Sequence, residues 1–225
     1  MLTITSTGMP TAAVTAMAAT RGGDFDVLKS APGVRERLRD EQANRCAYCE
    51  RIMSQEPGRT KIEHFHPRTK DFTDPRCASE SGTTDREKSI VEWRNLLLVC
   101  PGNSGREKTC DTRKGATDIC TKIHNPKRDG LNSPTQVMCN YEGRVTSVEG
   151  TDEAKDAIDN DLNLNERTLL LARKALWASL IGEVRRARSP NPRGLNKADL
   201  RHRLVAASQT KEFGSVYLTL AARLQ

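Results

Sequence analysis

Four cysteines constrain this chain more than any other feature. Cys46 and Cys49 stand in the pair Cys46-Ala47-Tyr48-Cys49, and Cys100 and Cys110 follow much later, with the turn-rich run Pro101-Gly102-Asn103-Ser104-Gly105 between them. A C-x-x-C pair alone also suits a redox site, which needs no second pair. Two pairs fit four thiolates around one tetrahedral ion, a closed structural zinc site. A fold that meets this demand must return to one point after a long excursion.

The excursion carries the other chemistry. Ile62-Glu63-His64-Phe65-His66-Pro67 offers a histidine beside a carboxylate. Such a histidine can take a proton from water while the carboxylate holds a divalent cation. Asp111 directly follows a zinc-ligand candidate, so the zinc would fix its position; it is the natural second metal ligand. Asn95 opens the apolar run Leu96 to Val99. A buried amide there can tie the two sides of the loop together through backbone hydrogen bonds. Each residue alone has a plainer reading, as a surface pair or a helix cap. Their convergence favours a site.

The succession C-x-x-C, Glu-His-Phe-x-Pro, Trp-x-Asn-Leu-Leu-x-x-Cys and Cys-Asp-x-x-Lys-Gly resembles the HNH endonuclease family. Within it, the chain is similar to the PtuB-like nuclease subunits of Septu-type and retron-associated anti-phage systems. The likeness runs from Gly33 to Lys114 and continues more loosely through Ile123 to Asp129 and Leu162 to Asn165. It implies His64 as general base, Glu63 and Asp111 as ligands of a catalytic Mg or Mn ion, Asn95 as the middle asparagine, and a Septu-type ATPase subunit (PtuA-like) as partner. Glu63 replaces the frequent Asp of the family, and Asp111 stands where His or Asn is frequent. Both still offer the oxygen that Mg²⁺ prefers. No G-x-x-x-x-G-K-[ST] occurs in the sequence, so nucleotide hydrolysis would fall to that partner.

Net charge is +7, which favours an acidic partner, with DNA first and RNA as the alternative. Aromatics are only 4%, too few for base-stacking platforms. Cys77, Cys120 and Cys139 read as small buried hydrophobes or free thiols, which suits a cytoplasmic setting. No stretch approaches the apolar length a membrane span needs.

Residues 1–32 read as a flexible arm or a short docking helix, without the basic start of a signal peptide. Residues 33–130 read as the core. Its first helix runs from Gly33 to Asn44, Ile62 to Phe65 forms a strand, and a helix follows Cys110. Between Pro67 and Ser89 lies a polar stretch with no apolar period, either a substrate-contacting lid or a disordered connector. Arg113 and Lys114 could meet phosphate or simply line an exposed helix face. His66, two residues past His64, reads as an auxiliary metal ligand or a phosphate contact; His124 precedes a turn and His202 reads as solvated.

Residues 131–225 begin with a hairpin, Val137 to Val148, turning at Glu142-Gly143. A long helix over Asn163 to Arg188 follows, with Asn163 and Glu166 as a capping box. Its stripe of Leu169, Ala172, Leu176, Leu180 and Val184, widened by Leu170, Trp177 and Ile181, is either core or a docking face. Arg185, Arg186, Arg188, Arg193, Lys197, Arg201 and Arg203 read as a phosphate-binding edge or a solvated helix end. One last helix is expected over about Asp199 to Leu224. The expected fold is α+β: a small zinc-stapled ββα-metal core in a mainly helical chain. The expected activity is metal-dependent hydrolysis of phosphodiesters; a non-catalytic zinc-stapled nucleic-acid-binding or scaffold subunit is the rival.

Overall fold

The computed structural model describes residues 3–20, 24–56, 58–71, 74–81, 83–102, 107–127, 136–189 and 196–224. The loop residues 103–105, residues 128–129 and Arg193 lie outside them. Ten α-helices are described: α1 (Thr11–Ala19), α2 (Phe25–Ser30), α3 (Val34–Glu41), α4 (Pro75–Ser81), α5 (Arg86–Ser89), α6 (Cys110–Lys114), α7 (Asp152–Asp156), α8 (Arg167–Ala187), α9 (Lys197–Thr210) and α10 (Gly214–Ala222), with a 3-10 turn at Trp93–Asn95 and a π-helical turn at Ala157–Asp161. There are two antiparallel pairs, β1 (Lys61–His64) with β2 (Leu96–Val99) and β3 (Val137–Cys139) with β4 (Val145–Ser147). The fold is mixed, helices with two small sheets. No helix among the described residues is long and apolar enough to cross a membrane.

The β1–β2 pair is the centre. Leu96 to Val99 are buried on both faces, as a near-continuous apolar run demands. In the register, Glu63 faces Leu97 and His64 faces Leu96. Gln42, just past α3, gives its amide N–H to the Leu98 carbonyl at 2.6 Å and accepts from the Leu98 N–H at 2.8 Å. It thereby satisfies the far edge of β2, and the adjacent Ala47 N–H joins the same carbonyl.

Two sequence readings are corrected here, and one left open between a flexible arm and a short docking helix is decided for the helix. The N-terminal segment is packed, with Ala13 and Leu28 fully buried and the Ile4 N–H bonded to the Pro126 carbonyl at 2.8 Å. The polar stretch before Ser89 folds into α4 and α5 because single buried polar groups, not an apolar period, anchor it. Glu80, 1% exposed, accepts from the Asn125 N–H at 2.6 Å and pairs with His124 at 2.7 Å. The expected last helix is two helices. Its break at Phe213, in the left-handed region at φ 55°, is held by the Phe213 N–H on the Glu50 carbonyl and the Ser215 N–H on Glu50 Oε2.

The long helix also starts later than expected. Glu166, not Asn163, is its N-cap, accepting from the Thr168 N–H at 2.7 Å. Asn163 sits at φ 47° and donates instead to the Lys108 carbonyl. The hairpin turn is where the sequence placed it: Gly143 has φ 84°, and a Cβ there would collide with the Leu170 carbonyl at 2.0 Å. On α8, Leu169, Trp177 and Val184 are buried, but so is Arg173, whose guanidinium donates to the Leu164 carbonyl at 2.7 Å.

The last two helices are tied to the cysteine pair that begins the core. Arg45 donates to the carbonyls of Ser208, Gln209 and Lys211, the end of α9. Leu204, Phe213, Val216 and Leu220 are buried in the same core cluster as Cys46 and Cys49.

Candidate active site and metal centre

The four cysteines meet. Cys46 and Cys110 sulfurs are 3.9 Å apart, Cys49 and Cys100 sulfurs 3.7 Å, and all four lie within 4.8 Å of one another. Sulfurs about 2.3 Å from a tetrahedral zinc ion stand about 3.8 Å from each other. The cluster therefore has the dimensions of a zinc site. Cys46, Cys49 and Cys110 are buried. Cys49 and Cys110 thiols are pushed well above the ordinary range, first by hydrogen bonding to Cys100. A bound cation reverses that, because a coordinated thiol is deprotonated outright. The group can hold a zinc ion.

The backbone is shaped for it. The Glu50 N–H returns to the Cys46 carbonyl, with Glu50 at φ 64°, closing the first pair into a knuckle. Gly102, φ 69°, lies so close to Thr109 that a Cβ would meet its carbonyl at 1.8 Å. That approach lets β2 run past the knuckle and return to Cys110.

One turn from the sulfurs is a second, open site. Glu63 and His64 end β1, and Asp111 and Lys114 ride on α6. They line a cleft with Phe25, Ile62, Pro67, Arg68 and Gly115. Lys114 Nζ is 2.6 Å from Glu63 Oε1 and donates to the His64 carbonyl at 3.1 Å. Lys61 Nζ is 2.5 Å from Asp111 Oδ2. Burial pushes the Glu63 carboxyl up to about 7; Lys114 opposes this, and the neighbouring Asp111 adds to it. Two carboxylates side by side, each answered by an ammonium group, make a place for positive charge.

His64 is 6% exposed and packs edge-on against Phe25, ring centroids 4.5 Å apart. Its Nε2 is 2.8 Å from the Ile90 carbonyl. Facing an acceptor, that nitrogen carries the proton, which leaves Nδ1 as the basic one. Burial, with Arg68 and Lys114 nearby, lowers its pKa to about 4, so the ring is neutral at pH 7.

Asn95 makes the tie expected of it. Its Oδ1 accepts from the His66 N–H at 2.8 Å, and its Nδ2 donates to the carbonyls of His66 and Ser89. The strand end that carries His64 is thereby fixed to β2.

Other expectations are placed differently. Lys114, read as a phosphate contact or as part of an exposed helix face, is 1% exposed and turned onto Glu63. His66 is fully buried, with Nδ1 3.0 Å from Asp118, away from any surface a phosphate could reach. Arg113 is exposed and donates to the Asn160 carbonyl. Arg185, Arg186 and Arg188 are exposed on the last turn and cap of α8. The sequence reading missed Phe25 and Arg68 at the cleft, and Lys61 as the partner of Asp111. Lys61 stands two residues before Glu63, so the alternation of β1 puts those two on one face; nothing local marks Phe25 or Arg68.

No family model matches the chain. Over 83 residues, 37% of its length, it is 30% identical to Septu protein PtuB of Bacillus thuringiensis. The matched residues are 26% of that protein, so the chain spans about a quarter of its relative's length.

Proposed function

We propose that this chain is a metal-dependent HNH-type endonuclease, the nuclease component of a Septu-like anti-phage defence complex that also contains an ATPase. The observation that carries the reading is His64. Its ring is neutral, its Nε2 proton is held by the Ile90 carbonyl, and it stands beside the Glu63–Asp111 carboxylate pair on a β1–β2–α6 frame next to the cysteine cluster.

In this reading His64 accepts a proton from water at Nδ1. Glu63 and Asp111 hold Mg²⁺ or Mn²⁺, and their oxygens suit such hard ions. When bound, that ion supplies positive charge where the departing oxygen becomes negative. Arg68, Arg113 and the arginines ending α8 offer phosphate contacts. The sulfur cluster holds Zn²⁺, which sets the geometry and takes no part in the reaction. Similarity to Septu protein PtuB supports the defence role and the partner complex.

A second reading has one observation in its favour. Lys114 and Lys61 already satisfy both carboxylates, as they would in a non-catalytic nucleic-acid-binding subunit. Incubation of the purified protein with plasmid DNA and with RNA, with Mg²⁺ or Mn²⁺ and with EDTA, and with and without the ATPase, separates the two. Metal-dependent cleavage of either substrate is expected. Binding without cleavage under every condition would support the second reading.

A further inference from the structure

We propose that His66, Cys77, Asp118 and Cys120 form a second zinc site, structural in role and separate from the four-cysteine one. Their ligand atoms lie within 4.8 Å of one another. They come from three distant places: the end of β1, helix α4 and the turn after α6. His66 is fully buried, Cys77 and Cys120 are 1% and 3% exposed, and the Asp118 side chain is 21% exposed.

The arrangement has the polarity of a ligand shell. His66 Nε2 is 3.1 Å from the Lys70 carbonyl, so it carries the ring proton and Nδ1 is the lone-pair nitrogen. Nδ1 faces Asp118 Oδ2 at 3.0 Å and Cys120 Sγ at 3.5 Å, and Cys77 Sγ is 3.5 Å from the same carboxylate oxygen. A nitrogen or oxygen ligand about 2.0–2.1 Å from zinc stands about 3.5 Å from a sulfur ligand on a tetrahedron. Acceptors thus converge on one point, which only a cation or a shared proton can satisfy.

The surrounding bonds hold the ligands in place, as outer partners of metal sites do. Asn95 clamps the His66 backbone from both sides, and the Cys120 N–H donates to Asp118 Oδ1 at 3.0 Å. The two sulfurs are joined to each other in the structure, with Cα atoms 5.2 Å apart. A disulfide would satisfy the sulfurs, and the contact between Nδ1 and Oδ2 would then hold a proton, an imidazolium–carboxylate pair, in place of the ion. A small dithiol reduces the Cys77–Cys120 bond to two thiols and itself becomes a disulfide; each thiol then gives its proton to solvent as the ion binds, so both sulfurs are thiolates in the zinc-loaded chain. The ion would fasten α4 and the turn after α6 to the strand end that carries His64. This inference stands whether or not the chain is a nuclease.

The test is zinc stoichiometry and sulfur coordination in the full chain purified with a thiol reductant. Two zinc ions per chain are expected, one for each group. X-ray absorption should show about three sulfurs per zinc on average, since one site supplies four thiolates and the other two. Cys77→Ser should lose one ion and raise the average to about four. One ion per chain with four sulfurs, or a Cys77–Cys120 disulfide in peptides of the zinc-loaded protein, would overturn the proposal. So would a second ion that Cys77→Ser leaves in place. If Cys77→Ser aggregates, the wild-type absorption spectrum still decides.

Discussion

The cysteine cluster and the carboxylate cleft are neighbours on one frame, yet they are built on opposite plans. In the cluster the four candidate ligands are alike and three of them are buried, so a bound ion would be coupled to folding. In the cleft each carboxylate already has a lysine, and one side opens to solvent. Structural metal sites are closed and catalytic ones keep an open position. The contrast teaches that α6 serves both: Cys110 belongs to the closed site, and Asp111 and Lys114 to the open one.

The sharpest way to break that contrast is Cys100→Ser. A structural zinc contributes about 10–16 kcal/mol of folding free energy. The variant should lose the ion of the four-cysteine site and its thermal transition together; a protein that keeps its thermal transition without that ion, by elemental analysis and calorimetry, would erase the distinction between the sites.

A smaller loss is expected from Lys114→Ala. Its ammonium is buried against Glu63, and removing one partner of a buried pair typically destabilises by about 3–5 kcal/mol. Urea unfolding of the zinc-loaded protein measures it, and a change near zero would mean that Glu63 finds another partner.

The open site should also compete with protons. Glu63, raised to about 7, is largely protonated below that pH and ionised above it. Protonation blocks ligation, so weaker cation binding is expected as pH falls from 8 to 6. The Mg²⁺ needed for half-maximal cleavage should rise, approaching about tenfold per pH unit on the acid side. A requirement independent of pH would remove Glu63 from the ligand set.

Least affected should be Lys61→Ala. Its side chain is half exposed, and exposed pairs contribute about 0–1 kcal/mol. A shift in melting temperature as large as that of Lys114→Ala would show that the two lysines are not the unlike pair described.

How legible each region was follows from what its residues must do. Cys46, Cys49, Cys100 and Cys110 announce themselves, because only a shared ion explains their pairing. That Glu63, His64 and Asp111 would come together was legible through their spacing relative to those cysteines, and the backbone tie of Asn95 through its place at the head of a buried strand. Lys114 was misread because a lysine at a helix end is ordinarily solvated, and only the folded position of α6 beside the end of β1 shows that it reaches Glu63. The stretch holding α4 and α5 was illegible because polar residues such as Glu80 anchor it through partners far along the chain. Cys77 and Cys120 were set aside as isolated thiols because their companions, His66 and Asp118, share no motif with them. The break before α10 was hidden for the same reason: its cause is Glu50, in the cysteine knuckle.

Single-turnover cleavage by the His64→Ala variant, matched to wild type in zinc content and melting temperature, tests the central claim most directly. A positioned general base contributes about 10²–10⁴-fold in rate. The variant should bind nucleic acid as wild type does and cleave it slower by that factor at saturating Mg²⁺. Cleavage at the wild-type rate would contradict the assignment of His64, and with it the catalytic reading of the cleft.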